Sequence, residues 1–319
     1  MAPHVAELAQ RALTAPNTSD VLYDACRLVA EGMRLLSGDA GWPMPDLPDL
    51  RHPLSRLPLE LHLVDSREGR LDPPVAGDGA FYDDFYRRMG AHGCIRATSG
   101  ERSEYRLASA HVEPGMAVLD VGCGGGAFAD HVPHARYCGV DPFVSPDEAG
   151  PGVRREPIED HVARQREAYD VVCAFQVIEH VVDPKGFVGL MLQALRPGGL
   201  VILGVPLWPS PMTEIPNFII NCPPHHLTWW TESAFEALCA AHGLDVVALE
   251  RPASYALQDR IQWMQRMSPV KARGPYFRNR LGWHASLVVG YGLGSLCHRV
   301  FGAPGAADPI DLLLVARKP

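Results

Sequence analysis

Three histidines stand where a proton acceptor could act: His180 in "IEHV", and His225 and His226 in "NCPPHHLTWW". Imidazole titrates closest to neutral pH, so it is the side chain best suited to take a proton from a hydroxyl nucleophile. Pro223 and Pro224 restrict the backbone ahead of the pair and would fix the rings at low entropic cost. Adjacent side chains of an extended segment point to opposite sides. One ring is therefore expected to face a ligand, with His225 the first choice. The other should anchor the loop, with Trp229 or Trp230 packing beneath it. No metal-ligand spacing accompanies the three, so no metal is expected. The competing reading is that the loop is architecture alone.

A second group is "VLDVGCGGGAFAD" (118–130), a strand running into glycines and then a helix. Glycine allows a tight turn and lets a ligand lie against the backbone, and the helix start offers N–H donors. Nineteen residues beyond Gly122, in "YCGVDPF", Asp141 closes the next strand, where a carboxylate can accept both hydroxyls of a ribose. Gly122, Gly124 and Ala127 also fit the G-x-G-x-x-A dinucleotide fingerprint, so an NAD-dependent oxidoreductase stays open on this motif alone. Asp120 turns the choice. A carboxylate aimed at the glycine loop would repel a pyrophosphate but suits an amino group or a sulfonium.

The chain continues with "YDVVCAFQVIEHVVDP" (169–184) and "LRPGGLVILGVP" (195–206). As an ordered set with the glycine loop, these segments resemble class I S-adenosylmethionine-dependent methyltransferases, and more narrowly a bacterial small-molecule branch with a "PPHH" loop. The resemblance covers about residues 80–319. It implies S-adenosylmethionine as cofactor, with Asp120, Gly122 and Gly124 around its methionine portion and Asp141 on its ribose. Ile158 and Glu159 would flank the adenine, and Phe175 and Gln176 would line the floor. It also implies a Rossmann-like, doubly wound α/β sheet of seven strands with the last antiparallel, the runs 244–250 and 310–318 forming the final pair. The activity then expected is methyl transfer to a small-molecule acceptor, first to a hydroxyl of a secondary metabolite or sugar, with N- or C-methylation as alternatives. His225, His226 and His180 would be the catalytic candidates. A scaffold that keeps the fold without the activity is the remaining rival.

The elements that must position these residues follow from periodicity. Apolar runs at 116–121, 136–140, 170–175 and 199–205 alternate with helical stretches, which predicts a parallel sheet with helices on both faces. Residues 1–78, rich in proline from 39 on, read as a helical and irregular N-terminal extension to a domain over 79–319. A short helix at 79–91 carries Tyr82 and Tyr86, which would lie over the cofactor or acceptor. Between the last two strands, 251–309 reads as a helical insert, with 281–302 an apolar helix interrupted by glycines. Its apolar face is taken first as core or lid packing and second as a homodimer contact. The longest charge-free apolar run, "ASLVVGYGLGSLC" (285–297), is too short for membrane insertion, which needs about 20 apolar residues.

Composition narrows the partners. A formal net charge of −8 with three lysines (Lys185, Lys271, Lys318) argues against nucleic acid, which calls for a basic face. The eight cysteines form no C-x-x-C pair, so reduced thiols in a cytoplasmic protein are expected. The start, "MAPHVAELAQ", lacks the pattern of a secretion signal.

Overall fold

The computed structural model describes residues 99–212, 225–269, 281–304 and 309–319. The extension expected over 1–78, the helix expected over 79–91 with Tyr82 and Tyr86, and Pro223 and Pro224 all lie outside the described residues. The chain divides into two compact units. Of the described residues, one contains 99–210, 225–255 and 309–319; the other contains 211–212, 256–269 and 281–304. The boundary at 255/256 thus falls inside the expected 251–309 insert.

The first unit is built on seven strands: β1 (Ala117–Val121), β2 (Arg136–Val140), β3 (Val153–Arg154), β4 (Tyr169–Phe175), β5 (Leu195–Pro206), β6 (Asp245–Glu250) and β7 (Asp311–Arg317). Their order is β3-β2-β1-β4-β5-β7-β6. The first five run parallel, and β7 pairs antiparallel with both β5 and β6. This is the seven-stranded α/β sheet expected, with one antiparallel strand near an edge. β3 is two residues long and leaves no periodicity to read.

Period-two alternation sends the strand side chains into two cores. Leu119, Val121, Val172, Leu203, Leu312 and Leu314 face one side. There they meet α2 (Ile158–Val162), α3 (Pro184–Ala194) and α4 (Glu232–His242), through residues such as Ile158, Met191 and Phe235. Val118, Cys173, Ile202, Leu313 and Val315 face the other, against α1 (Ser103–Ser109) and the short 3-10 turn Ala127–His131. A register shift between Tyr169 and Val171 reverses the parity of β4, so Tyr169 and Val172 share a face. Both faces are buried, which is why β1 and β4 read as continuous apolar runs. Each large side chain removed from water here contributes about 1.5–3 kcal/mol.

Helix ends follow local chemistry. Thr231 caps α4, its Oγ1 accepting from the Ala234 amide at 3.1 Å, as its sequence position predicts; Gly243 closes the helix at φ 65°. Asp183 caps α3 with Pro184 in its first turn.

The second unit holds α5 (Ala256–Met267) and α6 (Leu281–Phe301). Here one expectation is corrected. The glycines do not interrupt α6; they let it approach α5. A Cβ at Gly294 would stand 2.7 Å from the Met264 amide nitrogen, and one at Gly290 2.5 Å from the Met264 carbonyl oxygen. Close backbone contact outweighs the helix cost of glycine, about 1 kcal/mol. No described helix is long and apolar enough to cross a membrane.

Candidate active site

The glycine loop begins where β1 ends. Gly122, Gly124 and Gly126 hold φ of 71°, 53° and 81°, in the region that favours glycine. Gly122 also lies against the chain after β4: a Cβ there would stand 2.6 Å from Val177 Cγ2. β2 secures the loop. The Val140 carbonyl accepts the Gly122 amide at 2.8 Å, and Asp141 Oδ2 accepts the Gly124 amide at 2.9 Å. Asp141 Oδ1 accepts the amides of Phe143 (2.8 Å) and Val144 (3.1 Å). The carboxylate at the end of β2 therefore organises the glycine loop and its own loop together.

Asp120 lies beneath. It is 3% exposed, and Tyr137 Oη donates to its Oδ2 at 2.8 Å. Burial raises its pKa from 3.8 to about 7, and the Asp141 charge adds to the rise; the bonds from Tyr137 and Cys173 oppose it. A buried carboxyl poised near neutrality beside a loop built for close approach gains most from a cationic ligand. The thiol of Cys123, in the same loop, is held protonated by burial.

The three histidines converge. His180 ends the 3-10 turn Ile178–His180 after β4, and its ring centroid lies 4.5 Å from that of His225 and 4.8 Å from that of His226. The rings of His225 and His226 stack at 4.9 Å and 16°. The expectation that one ring faces a ligand while the other turns away is therefore corrected. Residue 225 sits in a turn, not a strand, so alternation does not apply. Three bonds join the two segments: the Glu179 carbonyl accepts the amides of Leu227 (2.7 Å) and Thr228 (3.2 Å), and the His225 carbonyl accepts from His180 Nδ1. Trp230 is buried beneath, donating to Thr228 Oγ1 at 3.0 Å and packing 5.1 Å from Phe235. Burial lowers the pKa of His180 to about 4. Burial, followed by the neighbouring rings, pushes His225 and His226 well below the usual histidine range.

A polar set lies by the carboxyl ends of β4 and β5 and the start of β7. Gln176, at φ 58°, donates from Nε2 to Glu104 Oε2 (3.1 Å) and Asp311 Oδ1 (3.4 Å). Arg102 pairs with Glu104 at 3.0 Å and donates to Tyr105 Oη at 3.0 Å. Tyr255 hydrogen-bonds Arg102, and its hydroxyl is raised to about 12 by burial. Glu104 is 3% exposed.

Residues 101–249 match the model of a family described as a methyltransferase domain. The match spans β1 to β6, the glycine loop, both aspartates and all three histidines. Over these residues the chain is similar to methyltransferase domains. Among curated relatives, the ubiquinone biosynthesis O-methyltransferases of Salmonella arizonae and Salmonella newport are each 37% identical over 99 residues, covering 27% of this chain and 41% of theirs. The chain thus spans about two fifths of the length of these relatives. Among solved structures, an S-adenosylmethionine-dependent methyltransferase from Archaeoglobus fulgidus is 17% identical with a TM-score of 0.46, over 75% of this chain and 100% of that one. A 1,6-didemethyltoxoflavin-N1-methyltransferase from Burkholderia thailandensis is 16% identical with a TM-score of 0.46, over 78% and 93%.

Within the matched residues, Asp120, Gly122, Gly124 and Asp141 come together at the ends of β1 and β2. The other anticipated cofactor residues lie in the cores, at the surface and in the polar set. Ile158 is 5% exposed inside the core, while Glu159 is exposed at the start of α2. Phe175 packs 4.9 Å from Tyr105 and 4.8 Å from Phe128, and Gln176 turns into the polar set. Sequence reading missed Tyr137, which holds Asp120, and Glu179, whose carboxyl is fully buried. The signal for Glu179 was adjacency: it stands in "IEHV" beside a histidine already singled out.

Proposed function

We propose that this chain transfers the methyl group of S-adenosylmethionine to a hydroxyl of a small-molecule acceptor. The observation that carries it is the pairing of a buried Asp120 with a glycine loop tethered by Asp141. A sulfonium and an amino group are cations, and Asp120 offers them a carboxylate; Asp141 has further acceptor capacity for ribose hydroxyls.

The transfer is an in-line displacement. A lone pair of the acceptor oxygen forms the new bond to the methyl carbon, the sulfur–carbon bond breaks, and the sulfur leaves neutral. The hydroxyl proton leaves separately. The chain's task is to align oxygen, carbon and sulfur and to exclude water. The polar set around Arg102, Gln176 and Tyr255, at the carboxyl ends of the strands, is the acceptor side on this reading. His180, His225 and His226 are further candidates for orienting the acceptor, their lowered basicity disfavouring a role as the proton acceptor. Oxygen is preferred as nucleophile because the curated relatives are named O-methyltransferases.

The test has two steps. S-adenosylmethionine, S-adenosylhomocysteine and NADH are compared by thermal stabilisation, and a panel of phenols, sugars and amines is then incubated with the cofactor and read by mass spectrometry. Stabilisation by the sulfonium cofactor and a one-methyl gain on a hydroxyl compound support the reading. Stabilisation by NADH alone overturns it, and methylation of amines alone moves the nucleophile to nitrogen.

A further inference from the structure

We propose that His180, His225 and His226, together with the carboxylate of Glu179, form a binding site for a divalent transition-metal ion. The three imidazoles each present a ligand atom, and these atoms all lie within 4.8 Å of one another. Around an ion with metal–nitrogen bonds of about 2.0–2.1 Å, tetrahedral ligand atoms stand about 3.3 Å apart. The widest pair must therefore close by roughly 1.5 Å, shared between two side chains that each rotate about two bonds.

Glu179 supplies the second, independent observation. Its side chain is fully buried, and neither carboxyl oxygen has a hydrogen-bond partner among the described residues. Burying a carboxyl without a partner is costly, and chains retain such groups where something else binds them. Its Oε1 lies 3.9 Å from His180 Nε2. That nitrogen is the ligating one: Nδ1 donates to the His225 carbonyl, which leaves the lone pair on Nε2 and fixes the ring's orientation. The Glu179 main chain holds Leu227 and Thr228, so the same residue that offers the carboxylate seats the segment that brings the histidine pair.

Three imidazoles and one carboxylate oxygen suit Zn²⁺, Co²⁺, Fe²⁺ or Mn²⁺, and not Mg²⁺ or Ca²⁺, which take mostly oxygen ligands. The site itself is independent of methyl transfer. Only its use rests on that reading, where a bound ion would hold an acceptor oxygen in place and weaken its O–H bond.

The experiment starts from the full chain stripped with a chelator. Co²⁺ is titrated in as a spectroscopic probe and Zn²⁺ as competitor, with S-adenosylmethionine binding measured in parallel. The expected result is one ion per chain, a visible spectrum of nitrogen and oxygen ligation, and displacement by Zn²⁺. Changes to groups that merely support ligands cost roughly 10–100-fold in metal affinity, so His226→Ala and Glu179→Gln should each cost at least about 100-fold. Where a variant unfolds by circular dichroism, X-ray absorption of the Zn²⁺-loaded wild type decides instead, with several imidazoles in the shell expected. No binding at millimolar Co²⁺, equal affinity in Glu179→Gln and wild type, or a sulfur shell each overturns the site. A wild-type chain that binds S-adenosylmethionine but no metal sinks the site alone; one that binds metal but no S-adenosylmethionine sinks the transfer reading alone.

Discussion

Asp120 gives the sharpest test of how the fold prepares the glycine loop. Its carboxyl is raised from 3.8 to about 7, and a shift of that size is worth about 4 kcal/mol at 1.36 kcal/mol per pH unit. The direction follows from proton counts. Between about pH 4 and pH 7 the folded chain keeps a proton on Asp120 that the unfolded chain has released. This contribution to stability is full below the unfolded value and is lost as pH rises through about 7. Asp120→Asn keeps the shape and an oxygen for Tyr137 Oη but cannot ionise. Urea unfolding of both proteins from pH 5 to pH 9, without ligand, is the assay. The stability of the variant relative to wild type should climb by about 2.7 kcal/mol over that range, the rest of the shift falling below pH 5. Cofactor affinity should show the complementary behaviour. A cationic ligand needs the ionised carboxylate, so wild-type affinity for S-adenosylmethionine should rise about tenfold from pH 6 to pH 8 and stay flat in the variant. Parallel stability profiles for the two proteins refute the argument, whatever the affinity does.

Three further outcomes are expected. Asp141→Ala removes the acceptor of the Gly124, Phe143 and Val144 amides and, on the proposed reading, of the ribose hydroxyls, and should weaken S-adenosylmethionine by roughly 1.5–3 kcal/mol by calorimetry. Gly122→Ala meets both a φ of 71° and Val177, and should cost about 1–3 kcal/mol in stability; adding Val177→Ala should restore only the packing share in chemical denaturation. Gly294→Leu forces α6 away from Met264 and should cost about 1–3 kcal/mol or more, seen as faster hydrogen exchange of the α5 and α6 amides; unchanged exchange there would contradict the close contact.

What sequence made legible was what local chemistry decides. β1, β4 and β5 announced themselves because both faces are buried, and Thr231 because a cap is a short-range bond. Asp120 and Asp141 were legible because strand ends and glycine turns fix where they emerge. What stayed hidden came from tertiary contact. Gly290 and Gly294 look like breaks until α5 is laid against them. Ile158 and Phe175, expected beside the cofactor, also pack into the two cores, which the sequence did not show. The histidine pair was assigned opposite directions because the segment was taken as extended, whereas bonds from Glu179 to Leu227 and Thr228 bend it so that both rings meet His180.

That convergence changes the chemistry the histidines can do. A general base works best with a pKa near working pH. Burial puts His180 at about 4 and the other two well below the ordinary value, the neighbouring rings adding to the effect at His225 and His226. A phenolic hydroxyl with a pKa of about 10 would hand its proton to His180 uphill by about 6 pH units, or roughly 8 kcal/mol. Methyl transfer cannot recover that from alignment alone without giving up most of what alignment supplies, about 7–11 kcal/mol. The same property that spoils the rings as bases suits them to bind without first losing a proton. Imidazoles neutral at every working pH, beside a buried carboxyl with no hydrogen-bond partner among the described residues, make better sense as a set of electron-pair donors than as a relay for protons.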